Sequence, residues 1–158
     1  MKIVCSQSEL AKGISIVSKA VPTRSTMPIL ECILIDASTN EIKLIANDME
    51  IGIETKINGS IEKRGVIAIE AKFLQNLITK LHEGTIAIET DDNYKVKITC
   101  ENKVVEVPGK TGEDFPYIPV ISRNNPIVLS QMLFKDIVKQ TIFSVSSNEN
   151  NKLMTGEL

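Results

Sequence analysis

Val66-Ile67-Ala68-Ile69-Glu70-Ala71-Lys72-Phe73-Leu74-Gln75-Asn76-Leu77-Ile78-Thr79-Lys80-Leu81 is the stretch on which the fold turns, because the hydrophobic period changes inside it. Residues 66–69 are mostly β-branched, as a short buried strand favours. From about Ala71 to Leu81, Leu74, Leu77, Ile78 and Leu81 return on one helical face, and Lys72, Gln75, Thr79 and Lys80 lie away from it. The same change occurs once before. Residues 3–5 read as a strand, and Ser8 is the expected N-cap of a helix with Glu9 in its first turn and Pro22 closing it. Along that helix Leu10, Ile14 and Val17 form the apolar stripe, opposite Lys12, Ser15 and Lys19.

Each helix is followed by strands. Pro28 stands at the entry to a strand over residues 29–35, where proline is tolerated. Residues 42–46 and 51–57 continue a meander broken by Ser38-Thr39-Asn40 and Asn47-Asp48. After the second helix come residues 85–90, 95–100 and 104–107, and then a Gly/Pro-containing linker from Pro108-Gly109 to Asn125-Pro126. Leu10, Ile14 and Val17 thus correspond to Leu74, Ile78 and Leu81. The expected fold is α+β, with two βαβββ-like halves and two helices on one face of antiparallel sheets.

A second repeat has a longer period. Ile3-Val4-Cys5-Ser6-Gln7 recurs as Ile127-Val128-Leu129-Ser130-Gln131, and after a one-residue gap Leu10, Lys12 and Ile14 match Leu133, Lys135 and Ile137. The strand at Ile29-Leu30 reappears as Leu153-Met154. The division expected is therefore a first domain over residues 1–120, followed by a linker and the beginning of a second domain over 121–158. A strand and a helix alone bury little, so the chain reads as a fragment of a longer repeat protein.

Composition narrows the function. With no Trp and 4% aromatic residues, the core must come from Ile, Leu and Val. No apolar leader follows Met1-Lys2, and no run approaches the roughly 20 apolar residues of a membrane span. Cys5, Cys32 and Cys100 are odd in number and sit in apolar runs, which suits reduced thiols and a cytoplasmic protein. A net charge of −2 disfavours tight DNA binding, since non-specific affinity comes from phosphate neutralisation, but permits weak, mobile contacts. An enzyme is disfavoured as well. The only histidine, His82, ends a helix, and Asp48 and Glu50 have no metal cluster or phosphate-cradling loop beside them. No cofactor is expected.

Arg24-Ser25-Thr26-Met27-Pro28-Ile29-Leu30, Asn47-Asp48-Met49-Glu50-Ile51-Gly52-Ile53 and Asp114-Phe115-Pro116, in that order and spacing, resemble the N-terminal domain of the bacterial DNA polymerase III beta subunits. Phe143-Ser144-Val145-Ser146 and Leu153-Met154-Thr155-Gly156 are similar to the start of that family's second domain. The resemblance implies a DNA-clamp fold and a homodimeric ring around duplex DNA, bound without sequence preference. It further implies the polymerase III alpha subunit and the clamp loader as partners, no membrane, and no catalytic residues.

It also implies roles for particular residues. Arg24 matches a family position that approaches DNA, Asn148 a position of similar role in the second domain, and Met154 an apolar residue of a partner-peptide groove. Lys12, Lys19, Lys72, Lys80, Lys135 and Lys139, each opposite an apolar stripe, are the expected remaining DNA-facing residues. Having no third domain, the chain by itself is expected to be monomeric, with most of the groove missing. The competing reading is a non-catalytic β-rich protein-interaction domain without DNA binding, whose lysines would be scattered over strands and helices alike.

Overall fold

The computed structural model describes residues 1–119, 124, 126–146 and 154–156. The chain divides into two compact units, Met1–Pro119 and Val120–Leu158.

The first unit opens with β1 (Lys2–Ser6), α1 (Gln7–Val17) and a 3-10 turn (Ser18–Ala20). Four strands follow: β2 (Cys32–Asp36), β3 (Ile42–Asn47), β4 (Gly52–Ile57) and β5 (Gly59–Lys63). Then β6 (Val66–Glu70) and α2 (Ala71–Lys80) lead into β7 (Thr85–Thr90), β8 (Lys95–Cys100), β9 (Lys103–Pro108) and the two-residue β10 (Lys110–Thr111). The halves are therefore β1-α1-β2-β3-β4-β5 and β6-α2-β7-β8-β9-β10.

The two five-stranded sheets are not the two halves. One has the order β5-β1-β7-β8-β9 and the other β10-β6-β2-β3-β4, with every neighbouring pair antiparallel. Each half keeps its three-stranded meander and gives its first and last strands to the other half's sheet. Neither half completes a sheet alone. Hydrogen bonds follow the same symmetry: Gln7 N donates to Gly84 O at 2.8 Å, and Ala71 N donates to Glu31 O at 3.0 Å, so each helix starts on a carbonyl just before the other half's meander. For α2 that carbonyl matters, since Glu70 at its N-cap makes no side-chain capping bond.

One core unites the helices with both sheets. Leu10, Ile14 and Val17 from α1 and Leu74 and Ile78 from α2 are buried with Ile3, Ile33, Ile35, Leu44, Ile67, Ile86, Ile88 and Ile98. Leu81 is buried, and Leu77 is half-buried against the same cluster. Each such aliphatic side chain contributes roughly 1.5–3 kcal/mol by leaving water. A smaller cluster lies on the other face of the second sheet, where Phe115 covers Cys32, Leu34, Ile45 and Ala68. Both faces of β2 are thus covered, which explains its unbroken apolar run Cys32-Ile33-Leu34-Ile35.

Several local expectations need correction. Ser6, not Ser8, caps α1, its Oγ accepting from Glu9 N at 3.2 Å. Residues 28–31 form turns rather than the start of a strand, because Leu30 N and Cys32 N donate to Met27 O and Ile29 O. Residues 59–63 pair with β1 although their alternation is weak. The expected linker is structured in its first part, where β10 pairs with β6 and Phe115 is buried.

In the second unit, α3 (Gln131–Thr141) and a 3-10 turn (Ile142–Ser144) are formed, and Ser130 Oγ accepts from Leu133 N at 3.1 Å. The N-caps equate Ser130 with Ser6 directly, so Phe134 and Val138, not Leu133 and Ile137, occupy the positions of Leu10 and Ile14. Residues 127–129 are not a strand and are exposed, having no neighbouring strand among the described residues to take up their backbone groups.

Candidate nucleic-acid interface

Helices α1 and α2 pack side by side. They run antiparallel, because the side chain of Gln7 in the first turn of α1 donates from Nε2 to Ile78 O in the last turn of α2 at 2.9 Å. α1 approaches β3 and β4 closely through Gly13, where an added Cβ would lie 2.6 Å from Ile57 Cγ2 and 2.7 Å from Leu44 Cδ1. With the apolar stripes turned inward, Lys12 and Lys19 project from α1 and the 3-10 turn that follows it, and Lys72 and Lys80 project from α2. All four are exposed. α2 contains no acidic residue, and α1 contains only Glu9.

Arg24 is exposed in the loop after the 3-10 turn. Ser25 N donates to Glu31 Oε1 at 3.2 Å, Met27 N donates to Ser25 Oγ at 3.0 Å, and Lys110 Nζ donates to Pro28 O at 2.9 Å, so both ends of the loop are held. Val21, Pro22 and Thr23 line a cavity of about 50 Å3 together with Glu31, with Glu70 at the N-cap of α2 and with Lys72 of α2. Arg24 therefore follows a segment that borders the α2 end of the helical layer.

The lysines are spread over strands as well as helices, and several of those on strands are ion-paired. On the sheets Lys2 lies 3.0 Å from both Glu62 and Glu89, Lys43 lies 3.0 Å from Glu54, Lys56 lies 2.7 Å from Glu41, and Lys95 pairs with Glu106. Hydrogen bonds donated to these carboxylates raise the pKa of Lys2 (Glu62 first, then Glu89), of Lys43 (Glu54) and of Lys95 (Glu106). No ion pair among the described residues involves Lys19, Arg24, Lys72 or Lys80, and Lys12 is 4.0 Å from Glu9. Glu9 also accepts from Asn58 N and Nδ2. Half of the strand lysines are neutralised in this way, whereas Lys63, Lys97, Lys103 and Lys110 have no ion pair among the described residues; on the helical layer Lys19, Lys72 and Lys80 have none either.

In the second unit Lys135 and Lys139 are exposed on α3. Asn148 lies outside the described residues. Met154 is 60% exposed and is not in a strand, so it is not the buried strand residue that its repeat position suggested; its carbonyl accepts from Ser146 N at 2.7 Å.

Asp48 Oδ1 closes the β3–β4 turn, accepting from Ile51 N at 2.6 Å and Glu50 N at 2.9 Å, and those bonds lower its pKa. The three thiols are buried, and desolvation pushes the Cys5 pKa up to about 11. Among the described residues no group of three or more His, Cys, Asp or Glu is placed to hold a metal ion. No helix there is long and apolar enough to cross a membrane.

Two interlocked βαβ halves under a cationic pair of helices define a DNA-clamp domain. Residues 1–119 match the model of the DNA polymerase III beta subunit, N-terminal domain, and the chain belongs to that family. It is 32% identical to the beta sliding clamp of Synechocystis sp., the alignment covering 99% of this chain and 42% of that protein. A crystal structure described as that of a DNA polymerase III beta subunit from Eubacterium rectale superposes with a TM-score of 0.96 at 58% identity, covering 99% of this chain and 43% of that one. The sliding clamp of Bacillus subtilis gives 0.91 at 30% identity, covering 96% and 42%. The chain thus spans less than half the length of these relatives.

Proposed function

We propose that this chain acts as part of a DNA sliding clamp, a processivity factor that encircles duplex DNA and tethers the replicative polymerase, without catalysis of its own. The observation carrying this reading is the group of exposed cations on the antiparallel helices, with no acidic residue in α2 and only Glu9 in α1. Lys12, Lys19, Lys72, Lys80 and Arg24 meet phosphates without reading bases, and few contacts of that kind let DNA slide. Lys135 and Lys139 extend the same role to the second unit, and Asn148 joins them by its family position.

Membership of the family supports the cytoplasm as the setting, the polymerase alpha subunit and clamp loader as partners, and a homodimeric ring as the assembly of the full-length protein. Met154 belongs, on this reading, to the partner-peptide groove. Residues 1–120 act as the first clamp domain, and residues 121–158 as a linker and the entry to a second.

Duplex titration of the 158-residue chain tests the reading. Binding is expected to be weak, with Kd above about 10 μM near physiological salt, equal for two unrelated sequences, and lost when Lys12, Lys72 and Lys80 are replaced by Glu. Equal affinity in the triple variant, or a clear preference between the sequences, sinks it in favour of a protein-interaction domain.

A further inference from the structure

Asn58 joins β4 to β5 and has a fixed neighbour on each side. Ile57 before it packs on Gly13 of α1, where an added Cβ would lie 2.6 Å from Ile57 Cγ2. Gly59 after it lies so close to β1 that an added Cβ would meet Val4 O at 2.6 Å and Cys5 Cβ at 2.9 Å. Seated in this way beside the first turn of α1, Asn58 aims two donors at one carboxylate oxygen: Nδ2 reaches Glu9 Oε2 at 2.9 Å, and the backbone N reaches it at 3.3 Å. The amide of Glu9 donates in turn to Ser6 Oγ at 3.2 Å, so its backbone is fixed as well. The other carboxylate oxygen, Oε1, lies 4.0 Å from Lys12 Nζ, three residues further along the helix. That pair is the loosest ion pair among the described residues, where every other closes to 3.0 Å or less. Lys12 keeps 74% of its side chain exposed, and Glu9 only 31%.

We propose that Asn58 is a positioning residue for phosphate contact: by drawing the Glu9 carboxylate towards the β4–β5 junction, it keeps the one acid of α1 off Lys12 and leaves that ammonium to meet a phosphate oxygen. The inference rests on the clamp reading above. Glu and Lys three apart on a helix are neighbours that attract, and an unheld carboxylate in the first turn would close on the ammonium. An ammonium paired in that way has little charge left for DNA, whose binding depends on cations that replace condensed counterions. Hydrogen bonds to an ionised acceptor are the strong ones, and here two come from a different element, one of them from a backbone amide. They hold the carboxylate against the pull of Lys12. α2 contains no acidic residue and needs no such device for Lys72 and Lys80.

The test is titration of a short fluorescein-labelled duplex with the 158-residue chain, read by anisotropy. Asn58→Ala should weaken binding about threefold in about 50 mM salt and less in about 200 mM salt, as partial loss of one phosphate contact does. Adding Glu9→Gln to that variant should restore the native affinity, a rescue that a merely structural role of Asn58 would not give. In a chain already carrying Lys12→Gln, Asn58→Ala should have no further effect. Glu9→Gln alone should raise affinity by no more than about twofold, because its carboxylate is already held off Lys12 and exposed charges are screened. This last arm decides the matter even if the thermal midpoint shows that Asn58→Ala does not fold. The inference is overturned by native affinity in Asn58→Ala, by the absence of rescue, by an Asn58→Ala effect that persists without Lys12, or by a larger gain in Glu9→Gln. Equal binding by the native chain and by the variant with Glu at positions 12, 72 and 80 would instead strike the clamp reading, and this inference with it.

Discussion

Helices α1 and α3 begin alike and end in opposite surroundings. Each has a Ser N-cap followed by Gln, a serine oxygen accepting the third amide, eleven helical residues and a three-residue 3-10 turn. Yet α1 buries Leu10, Gly13, Ile14 and Val17, whereas α3 buries nothing and leaves Phe134 58% exposed, with Phe143 of the following 3-10 turn 85% exposed. Capping and amphipathic spacing are local and make a helix in either place. Burial needs a sheet, and α1 has β3 and β4 beneath Gly13, where α3 carries Ile137.

The widest separation between the two helices should come from truncating their matched apolar positions. Leu10→Ala is expected to cost about 2–5 kcal/mol in urea unfolding, through lost transfer energy and a cavity. Phe134→Ala should stay within about 0.5 kcal/mol. Equal losses would break the comparison.

Overpacking gives the next contrast. Gly13→Val drives methyl groups against Ile57 and Leu44 and should destabilise by about 1–3 kcal/mol. Ile137→Val, at the matching place in α3, should leave the unfolding midpoint unmoved. A silent Gly13→Val would show that α1 can lift from its sheet.

Removing the caps sharpens the distinction between local and global stability. Ser6→Ala and Ser130→Ala each remove one capping bond, worth about 1 kcal/mol to its helix. Only the first should lower the global unfolding midpoint. The second should appear as faster hydrogen exchange at the Leu133 amide, with the midpoint unchanged.

The smallest effects belong to exposed charge. Lys72→Glu and Lys80→Glu should change stability by no more than about 1 kcal/mol, since surface ion pairs contribute little. Acid should act locally at Asp48, whose folded pKa is depressed first by the Ile51 amide and then by that of Glu50. Stabilisation of a depressed carboxylate is complete above its unfolded value, 3.8, and is lost as pH falls through the lower folded value. The Ile51 amide resonance should therefore move below pH 3.8 while core amides hold; titration of Ile51 in step with the core would refute a local origin.

Much of this molecule follows from sequence because its causes are short-ranged. The change of period at Glu70-Ala71, the stripe Leu10-Ile14-Val17 and the lysines opposite it all act within a few helical turns, and so both helices and their exposed cations were legible. The same holds for the meanders, whose turns are signalled by Ser38-Thr39-Asn40 and Asn47-Asp48. What tertiary structure decided lies across the sheets. β1 sits between β5 and β7, so the partners of Lys2 are Glu62 and Glu89, and no local pattern names them. The exchange of strands between halves, the Glu31 carbonyl that starts α2, and the burial of Phe115 within an expected linker have the same origin. Each depends on backbone groups finding partners tens of residues away, a choice that the global closing of two sheets makes and that hydrophobic spacing along the chain does not encode.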